Sequence, residues 1–340
     1  PPGGRRPDPA AGPGARSTTP RHKDDTHMQE AAKIWMNGSL VDWASARVHV
    51  LSHGLHYGSS VFEGIRAYAA DEGTAVFRLD AHLQRLNRSA QTYYMPVPYT
   101  QDELREAVHQ VIAVNGLREC YIRPIVFRGY GTMGLFPLDA PVDVAIAAWE
   151  WGAYLGEEGL TQGIRAKVSS WRRIGSTTIP ATAKAGGQYL NSILAKIETH
   201  KAGYQEAILL NEAGYVADGS GENIFVVRDG TLITPPVQAS ILEGITRQCI
   251  LRLAAEEGVP VVEREVARAE LYIADEVFVT GTAAEVCPIV EIDDHRLGEP
   301  GPVTRLLQDR FFAATLGRHP RSAEWLDYVA MPVASTDPRP

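Results

Sequence analysis

Short apolar runs alternate with amphipathic stretches through the second half of the chain, and this alternation limits the possible folds more than any other feature. The apolar runs are rich in β-branched and aromatic residues and predict strands: IRAKVSSW, AILLN, NIFVV, TLITP and DEVFVTGT. The stretches between them have the helical period and predict helices: QYLNSILAKIETHKAG, GITRQCILRLAAEEG and GPVTRLLQDRFFAATLG. Such a chain is expected to form a mixed α/β fold.

The first half of the chain is expected to be α+β. Asn37–Gly38 separates two apolar runs in KIWMNGSLV and predicts a hairpin turn. DAHLQRLNRSAQTY predicts a helix with Asp80 as its N-cap, and QDELREAVHQVIAVNG predicts a second helix that ends at Asn115–Gly116. CYIRPIVFRGYG and VDVAIAAWEWG then predict strands.

The chain of 340 residues is long enough for two domains. Residues 1–27 are rich in Pro, Gly and Arg and are expected to form a disordered extension. We expect a smaller N-terminal α/β domain over residues 28–154 and a larger domain over residues 163–330. The Gly- and Glu-rich residues 155–162 are the predicted connection, and residues 331–340 are a predicted flexible tail.

Composition excludes several classes of function. The net charge of −8 argues against binding to nucleic acid or to a membrane surface, since both need concentrated positive charge. No apolar run approaches the roughly 20 residues of a membrane span. The three cysteines lie far apart without a CxxC pair, so neither disulfides nor a zinc site is expected, which favours a reducing, cytoplasmic setting.

Lys184 is the first candidate for chemistry. It is one of six lysines in the chain and lies among small residues in ATAKAGGQYLNSI. A lysine amine is a useful nucleophile only when it can lose its proton, and small neighbours allow a cofactor to approach it. An ordinary loop lysine is the alternative interpretation.

A carboxylate and two anion-receptive segments follow Lys184. Glu222 lies where the turn DGSGEN enters an apolar strand, so it could either pair with a ring N–H or cap the turn. Gly244, Ile245 and Thr246 begin a helix, whose free N–H groups suit a phosphate or are simply capped. Small residues after the strand DEVFVTGT could admit a ligand to backbone N–H groups or form a plain turn.

The first predicted helix carries a polar face opposite its apolar stripe. His82, Arg85 and Ser89 follow each other at helical spacing on this face. Such a face is usually solvated, but an arginine there could also hold a phosphate through two N–H groups.

Two further segments of the first half contain candidate site residues. His53 and His56 in HGLHYGSSVFEGIRAY are three residues apart, but the surrounding glycines and aromatic residues favour a packed pocket wall, and we expect no metal. Tyr121 and Arg123 in CYIRP project from the same face of a predicted strand. Structural pairing of these two side chains is the alternative.

These features together suit one ligand, pyridoxal 5′-phosphate. Its aldehyde needs a lysine, its ring nitrogen needs an acid, and its phosphate needs N–H donors and an arginine. The chain has a residue for each, and we therefore expect this cofactor.

From about Ile34 to Gly317 the chain resembles the branched-chain amino-acid aminotransferases of the fold-type IV pyridoxal-phosphate enzymes. Eight motifs occur in the family's order: HGLHYGSSVFEGIR, HLQRL, YIRP, WGAYLG, AKAGGQY, GENIF, LEGITR and GTAAE. The resemblance implies a two-domain fold with a larger, cofactor-binding second domain and an active site at the domain interface.

The resemblance also implies roles for the cofactor-binding residues. Lys184 would form the Schiff base and carry the proton, Glu222 would pair with the pyridine nitrogen, and Tyr189 would hydrogen-bond the phenolic oxygen. The expected contacts of the phosphate and of the rest of the cofactor are Arg85, Leu242, Gly244, Ile245, Thr246 and Thr282.

Substrate residues are implied in the same way. Tyr121 and Arg123 would receive carboxylates, including the distal carboxylate of glutamate, while Thr282 and Ala283 would offer N–H groups to the α-carboxylate. The full expected substrate set is Tyr57, Phe62, Gly64, Tyr121, Arg123, Trp151, Tyr154, Thr282 and Ala283.

The activity implied is transamination between L-leucine, L-isoleucine or L-valine and 2-oxoglutarate, giving branched-chain 2-oxo acids and L-glutamate. A D-amino-acid or (R)-amine aminotransferase, or an aminodeoxychorismate lyase of the same fold, is the alternative. The chain departs from the family at Glu243, where some members carry proline, and in the loop FRGYGTMGLFPLDAP, so the breadth of specificity stays open. The resemblance implies a homodimer or an assembly of dimers, in which a neighbour's loop completes the pocket.

Overall fold

Two β-sheets, one formed mainly by each half of the chain, carry the fold. The structure is a computed structural model that describes residues 29–152 and 155–331. The predicted extension (1–27), Tyr154 and residues 332–340 of the predicted tail lie outside the described residues. In chain order the strands are β1 (Lys33–Met36), β2 (Ser39–Asp42), β3 (Ser60–Phe62), β4 (Ile65–Ala70), β5 (Gly73–Phe77), β6 (Cys120–Arg128), β7 (Val142–Trp149), β8 (Ile164–Arg172), β9 (Glu206–Leu210), β10 (Val216–Gly219), β11 (Asn223–Arg228), β12 (Thr231–Thr234), β13 (Val261–Glu263), β14 (Glu276–Gly281), β15 (Glu285–Ile292), β16 (His295–Arg296) and β17 (Leu326–Tyr328).

Helices pack on both sheets. In chain order they are α1 (His53–Tyr57), α2 (Leu79–Thr92), α3 (Gln101–Val114), α4 (Gly156–Gln162), α5 (Tyr189–Lys201), α6 (Ile245–Glu256), α7 (Arg268–Leu271), α8 (Pro302–Thr315) and α9 (Ser322–Trp325). The strands and helices predicted in the second half are confirmed as β8, β9, β11, β12 and β14 and as α5, α6 and α8. Within the described residues, no helix combines the length and apolar character that a membrane crossing requires.

The first sheet has the strand order β17-β5-β4-β6-β7-β1-β2, with β3 paired to β6. Its turn between β1 and β2 is the predicted two-residue hairpin, because Asn37 and Gly38 have φ values of 48° and 91°, as a tight hairpin turn requires. Helices α2 and α3 bury apolar side chains such as Leu83, Leu86 and Val108 in the same core. The predicted helix end at Asn115–Gly116 is also confirmed.

Helix α2 begins differently from the prediction. Asp80 was expected as the N-cap, but the helix begins at Leu79, and Arg78 occupies the N-cap position with φ +56°. The Asp80 carboxylate instead accepts hydrogen bonds from Gln101 and Arg105 of α3. Pairing with the neighbouring helix has therefore replaced local capping, and the predicted N-cap was wrong.

The second sheet is mixed and has the order β10-β9-β8-β15-β14-β11-β12-β13, with β16 paired to β15. Strand β8 runs parallel to β9 and β15, and β12 runs parallel to β13, while the other pairs are antiparallel. Helix α5 packs on β8 and β9, and α6 and α8 pack on β14. The expected mixed α/β fold is confirmed.

Two segments connect the halves in ways that the sequence did not indicate. Residues 156–162 of the predicted connection form α4, which packs on β15. Near the other end of the chain, β17 returns to the first sheet and pairs with β5. The predicted limits of the two domains stay predictions.

Candidate active site

A cavity of about 330 Å³ lies between the two halves of the chain. It brings together fifteen of the predicted site residues: Phe62, Gly64, Arg85, Tyr121, Arg123, Trp151, Lys184, Tyr189, Glu222, Leu242, Gly244, Ile245, Thr246, Thr282 and Ala283. Residues from both sheets line it, so a ligand held there contacts both halves.

The Lys184 amine faces this cavity between two aromatic rings. Its Nζ donates a hydrogen bond of 2.7 Å to the Tyr189 hydroxyl and lies 5.0 Å from the centre of the Phe62 ring. The backbone around Lys184 is fixed as well, since its N–H donates to Ser89 Oγ at 3.0 Å. A Cβ at Gly186 would lie 2.4 Å from Ser60 Oγ, so a larger residue there would require the Ser60 hydroxyl to rotate away.

Glu222 lies at the entry of β11 as predicted and is 6% exposed. Its Oε2 accepts a hydrogen bond of 2.9 Å from the N–H of Gly221. Burial raises the pKa of this carboxyl to about 8; the Glu206 carboxylate adds to the rise, and Lys196 opposes it. In the cofactor-free protein, Glu222 is therefore mostly protonated at neutral pH.

Asp218 is a second carboxylate in the cavity and was not predicted from the sequence. It is 3% exposed, and its Oδ2 accepts from Leu242 N at 3.2 Å and lies 3.8 Å from Arg173 Nη2. Its Oδ1 is buried and has no hydrogen-bond partner among the described residues. Burial raises the pKa of Asp218 to about 6, with Arg173 opposing the rise, so the group is mostly ionised at neutral pH.

A signal for Asp218 was present in the sequence. The acid lies four residues before Glu222, at the end of the apolar run of β10, and Asp218 pairs with Asn223 in the register of β10 and β11. Two acids on neighbouring strand ends reach the same edge of a sheet.

The predicted anion site at the start of α6 is assembled from both halves. Gly244 occupies the N-cap position without a side-chain cap, which leaves the first N–H groups of α6 available to a ligand. Arg85 reaches this point from α2, since its Nη1 donates to Glu243 O at 2.8 Å. A Cβ at Gly244 would lie 1.9 Å from Asn223 Oδ1, so any other residue would force the Asn223 amide to move.

The polar face of α2 is buried, so the interpretation of it as a solvated surface was wrong. His82 and Ser89 are each 1% exposed. Arg85 forms a two-pronged ion pair with Glu63, in which Nε and Nη2 donate at 2.7 and 2.8 Å. His82 Nδ1 lies 2.7 Å from the same carboxylate.

Glu63 was missed in the sequence, although it lies inside the motif VFEGIR. Burial alone would raise its pKa, but Arg85 and His82 outweigh burial and lower the pKa to about 2. This permanent anion orients the Arg85 side chain toward the start of α6.

The opposite wall of the cavity is aromatic and carries one guanidinium. Arg123 Nη2 donates to the Tyr121 hydroxyl at 3.2 Å, and the guanidinium lies 4.8 Å from the centre of the Phe62 ring. The ring of Trp151 contacts that of Tyr121 edge to face at 4.4 Å. A Cβ at Gly64 would lie 1.9 Å from the Tyr121 hydroxyl, so this glycine makes room for the wall.

Tyr57 is outside the cavity of a single chain. It is 47% exposed and its ring lies 4.5 Å from that of His53. The ring nitrogens of His53 are bonded to Ser59 Oγ and Gly134 O, each at 2.7 Å, and His56 Nε2 bonds Val50 O. These histidines thus hold loops together.

Comparison with known proteins agrees with this geometry. The family described as amino-transferase class IV matches residues 60–292. The branched-chain-amino-acid aminotransferase of Escherichia coli (strain K12) is 50% identical over 304 residues, which cover 88% of this chain and 98% of that protein. The chain belongs to the branched-chain aminotransferases of class IV. The crystal structure of the Escherichia coli enzyme matches this aminotransferase with a TM-score of 0.87 and 50% identity, over 88% of this chain and 100% of that chain.

A further solved relative bears on the cofactor. The branched-chain amino acid aminotransferase of T.th., in a crystal structure with pyridoxamine 5′-phosphate, is 48% identical with a TM-score of 0.86, over 88% of this chain and 99% of that chain. The expected cofactor is confirmed as that of the family. The residues of this aminotransferase fit it, because the cavity offers a lysine amine, a buried carboxylate oxygen without a partner at Asp218, and an uncapped helix start beside Arg85.

Proposed function

We propose that this aminotransferase exchanges the amino group between L-leucine, L-isoleucine or L-valine and 2-oxoglutarate, giving branched-chain 2-oxo acids and L-glutamate. The observation that carries the proposal is the composition of one cavity. It holds a lysine amine, two carboxylates and an anion site at one end, and an aromatic wall with a single guanidinium at the other.

Lys184 is the proposed catalytic residue. When bound, pyridoxal phosphate supplies an aldehyde that takes up the amino group and a ring that stabilises negative charge on the substrate α-carbon. Lys184 Nζ would hold the aldehyde carbon of the cofactor between turnovers, and the free amine would take the proton from the substrate α-carbon. Tyr189, whose hydroxyl accepts a hydrogen bond from this amine, would orient the amine and the phenolic oxygen of the cofactor.

The pyridine nitrogen needs an anionic partner to stay protonated. Glu222 was predicted for this role, and Asp218 is a second candidate in the same cavity. Burial raises the pKa of both carboxyls, and a positive ring N–H beside Glu222 would lower its pKa again and favour the carboxylate. We propose Glu222 as the partner of the ring nitrogen, with Asp218, 3.8 Å from Arg173, as a second acid beside it.

The phosphate is proposed to lie at the start of α6. The first N–H groups of that helix and the hydroxyl of Thr246 would donate to it, and Arg85 would supply the positive charge. Thr282 approaches from the turn between β14 and β15 on the same cavity surface.

Two chemically different side chains must use one pocket. Phe62, Tyr121 and Trp151 offer an apolar surface for an aliphatic side chain, and Arg123 beside them can pair with the distal carboxylate of 2-oxoglutarate. The backbone N–H groups of Thr282 and Ala283 are proposed to bind the α-carboxylate that both substrates share.

A variant of Lys184 tests the catalytic proposal. We expect Lys184→Ala to lower the rate of the half-reaction with L-leucine by about 10⁴-fold or more, because the positioned base and the covalent attachment are both lost. The measurement is single-turnover absorbance of the pyridoxal-phosphate-loaded protein. Lys201→Ala at the exposed end of α5 is the matched control and should react at the rate of the unchanged protein. A variant at position 184 that reacts at the unchanged rate contradicts the proposal.

A panel of amino donors tests the substrate class. L-leucine, D-alanine, an (R)-arylamine and L-glutamate are offered with a matched 2-oxo acid. Turnover of L-leucine and L-glutamate above the other two is expected. Preference for D-alanine or the arylamine would instead support a D-amino-acid or (R)-amine aminotransferase.

We also propose that two copies of this chain associate. Helix α5 presents an unpaired apolar stripe at helical spacing, formed by Leu190, Ile193, Leu194 and Ile197, whose exposed fractions are 67%, 50%, 43% and 47%. Leu55 and Tyr57 of α1 are also exposed, at 63% and 47%. A second copy covering the α5 stripe would bring loops of its own toward the cavity, as the predicted role of Tyr57 requires.

The proposed compartment is the cytoplasm. Cys120, Cys249 and Cys287 are all buried free thiols, and burial raises the pKa of the first two to about 12. Thiols in this state support a reducing compartment.

A further inference from the structure

Glu285 has a backbone conformation that its side chain disfavours. Its φ is +55°, a left-handed value that glycine and asparagine adopt far more readily. Glu285 begins β15 and pairs with Gly281, the last residue of β14, so residues 282–284 form the turn between these strands. Thr282 and Ala283 of this turn line the cavity. The strained residue therefore closes the turn that borders the site.

Two side chains of the first sheet hold the Glu285 carboxylate. Glu285 is 4% exposed. Its Oε1 accepts a hydrogen bond of 3.0 Å from the Tyr68 hydroxyl and lies 3.3 Å from Arg66 Nη1. Both partners belong to β4, so this turn of the second sheet is anchored to the first sheet by a buried ion pair.

Arg66 also reaches the aromatic wall of the cavity. Its Nη2 donates to Trp151 O at 3.4 Å and to Glu119 Oε1 at 3.1 Å. Arg66 is 6% exposed, and its guanidinium lies 5.4 Å from the centre of the Tyr68 ring. One guanidinium thus connects the turn that carries Thr282 with the main chain of Trp151.

None of the three anchoring residues lines the cavity. Their contacts fix two parts of its wall that belong to different sheets. Glycine at position 285 would relax the backbone but remove the anchor, whereas Glu285 supplies a carboxylate whose Oε1 contacts both Tyr68 and Arg66. The contacts of Arg66 and Tyr68 are what keep the left-handed conformation in place.

We infer that Arg66, Tyr68 and Glu285 are positioning residues, which aim the N–H groups of Thr282 and Ala283 at the substrate carboxylate and keep Trp151 beside it. This inference rests on the proposed function, where those N–H groups bind the α-carboxylate. The anchor then determines how strongly the cavity prefers a carboxylic acid to the same carbon skeleton without one.

Ligand binding without turnover tests the inference. The protein loaded with pyridoxal phosphate is titrated with 4-methylvalerate, which has the leucine skeleton and carboxylate but no amine, and separately with 4-methyl-1-pentanol. Cofactor absorbance and tryptophan fluorescence report binding. We expect Glu285→Gln to raise the Kd of the acid about tenfold, because the neutral amide no longer forms the buried ion pair with Arg66, and to leave the Kd of the alcohol unchanged.

Two more variants complete the experiment. Tyr68→Phe removes only the hydroxyl that donates to Glu285 and should raise the Kd of the acid in the same direction by a smaller factor. Glu257→Gln breaks a more exposed carboxylate–arginine pair outside the cavity, in which Glu257, directly after α6, lies 2.5 Å from Arg310 of α8. This control should leave both affinities unchanged.

The outcomes separate the inference from the proposed function. Equal weakening of acid and alcohol in Glu285→Gln and Tyr68→Phe, or no change in either ligand, overturns the positioning role. If Glu285→Gln fails to fold, Tyr68→Phe decides alone, and an unchanged acid affinity there overturns the role. A protein that prefers the acid through these residues yet does not transaminate L-leucine overturns the proposed function and leaves the positioning role standing.

Discussion

At the scale of single residues, Asp218 and Glu222 lie in one cavity but hold their protons differently. Burial raises the pKa of both carboxyls, yet Arg173 lies 3.8 Å from Asp218, whereas the Glu206 carboxylate raises the pKa of Glu222 further. A protonated pyridine nitrogen beside Glu222 would lower this pKa and favour the carboxylate, because opposite charges stabilise each other. The two acids can then serve different roles, Glu222 toward the ring nitrogen and Asp218 toward Arg173.

Substitutions without a change in shape separate these roles. We expect Glu222→Gln to lower the half-reaction rate about 10²-fold, because it removes the charge that keeps the ring nitrogen protonated. Asp218→Asn should cost much less. The measurement is single-turnover absorbance with L-leucine. The reverse order of the two effects would assign the ring nitrogen to Asp218.

Glu222 should also make the stability of the cofactor-free protein depend on pH. Its folded pKa of about 8 lies above the ordinary value of 4.5, so the folded state binds this proton more tightly than the unfolded state. The resulting stability is fully present below about pH 4.5 and is lost as the pH rises through about 8. Asp218 acts in the same direction only up to about pH 6.

Urea unfolding at about pH 5, 6.5 and 8 measures this effect. The free energy of unfolding of the unchanged protein should fall across the series, and most of the fall above pH 6 should be absent in Glu222→Gln. Parallel curves for the two proteins between pH 6 and 8 would mean that Glu222 is ionised in the folded state.

At the scale of single elements, the start of α6 depends on a close approach rather than on a capping side chain. The Cβ of any other residue at position 244 would meet the Asn223 amide, which donates to Leu242 O at 2.8 Å. A side chain there would displace the Asn223 amide from Leu242 O and so disturb the segment that leads into the proposed phosphate site.

Gly244→Ala should therefore weaken the binding of pyridoxal phosphate about tenfold, the cost of one lost charge-assisted hydrogen bond. Equilibrium dialysis of the cofactor against the purified variant gives the Kd. Ala255→Gly, on the exposed face of the same helix, is the control: it lowers helix stability but should leave the Kd unchanged. Equal Kd values for both variants would mean that the start of α6 does not bind the phosphate of the cofactor.

Elements that depend on local signals could be predicted from the sequence. The bounds of helix α3 are one example, since Thr100 and Glu103 form a capping box at its start and Asn115 ends it. The N-cap of α2 was predicted wrongly because Asp80 pairs with a different helix, a contact that local sequence does not encode. Lys184 and Gly244 could be predicted because each lies in a local motif of small residues. The role of Glu63 could not be predicted, because it depends on pairing with Arg85, 22 residues away.

At the scale of the whole molecule, the apolar stripe of α5 predicts association. Replacing Ile193 by glutamate would bury an unpaired charge in the proposed interface, and we expect Ile193→Glu to shift the protein from dimer to monomer. Sedimentation velocity measures the change. Leu40→Glu, at an isolated exposed leucine of β2, is the control and should stay dimeric. If the unchanged protein sediments as a monomer, the proposed association is wrong.

The return of β17 to the first sheet has a consequence for how the chain is made. Strand β5 pairs with β4 on one side and with residues 326–328 on the other, and Trp325, just before them, is buried against Phe77. A ribosome completes the other strands of the first sheet nearly 180 residues earlier. Throughout that interval the backbone N–H and C=O groups along one side of β5 have no partner, and such an open edge invites pairing with another chain. The last described strand therefore acts as the closing step of the first sheet, and a nascent chain cut short before residue 326 carries that exposed edge permanently.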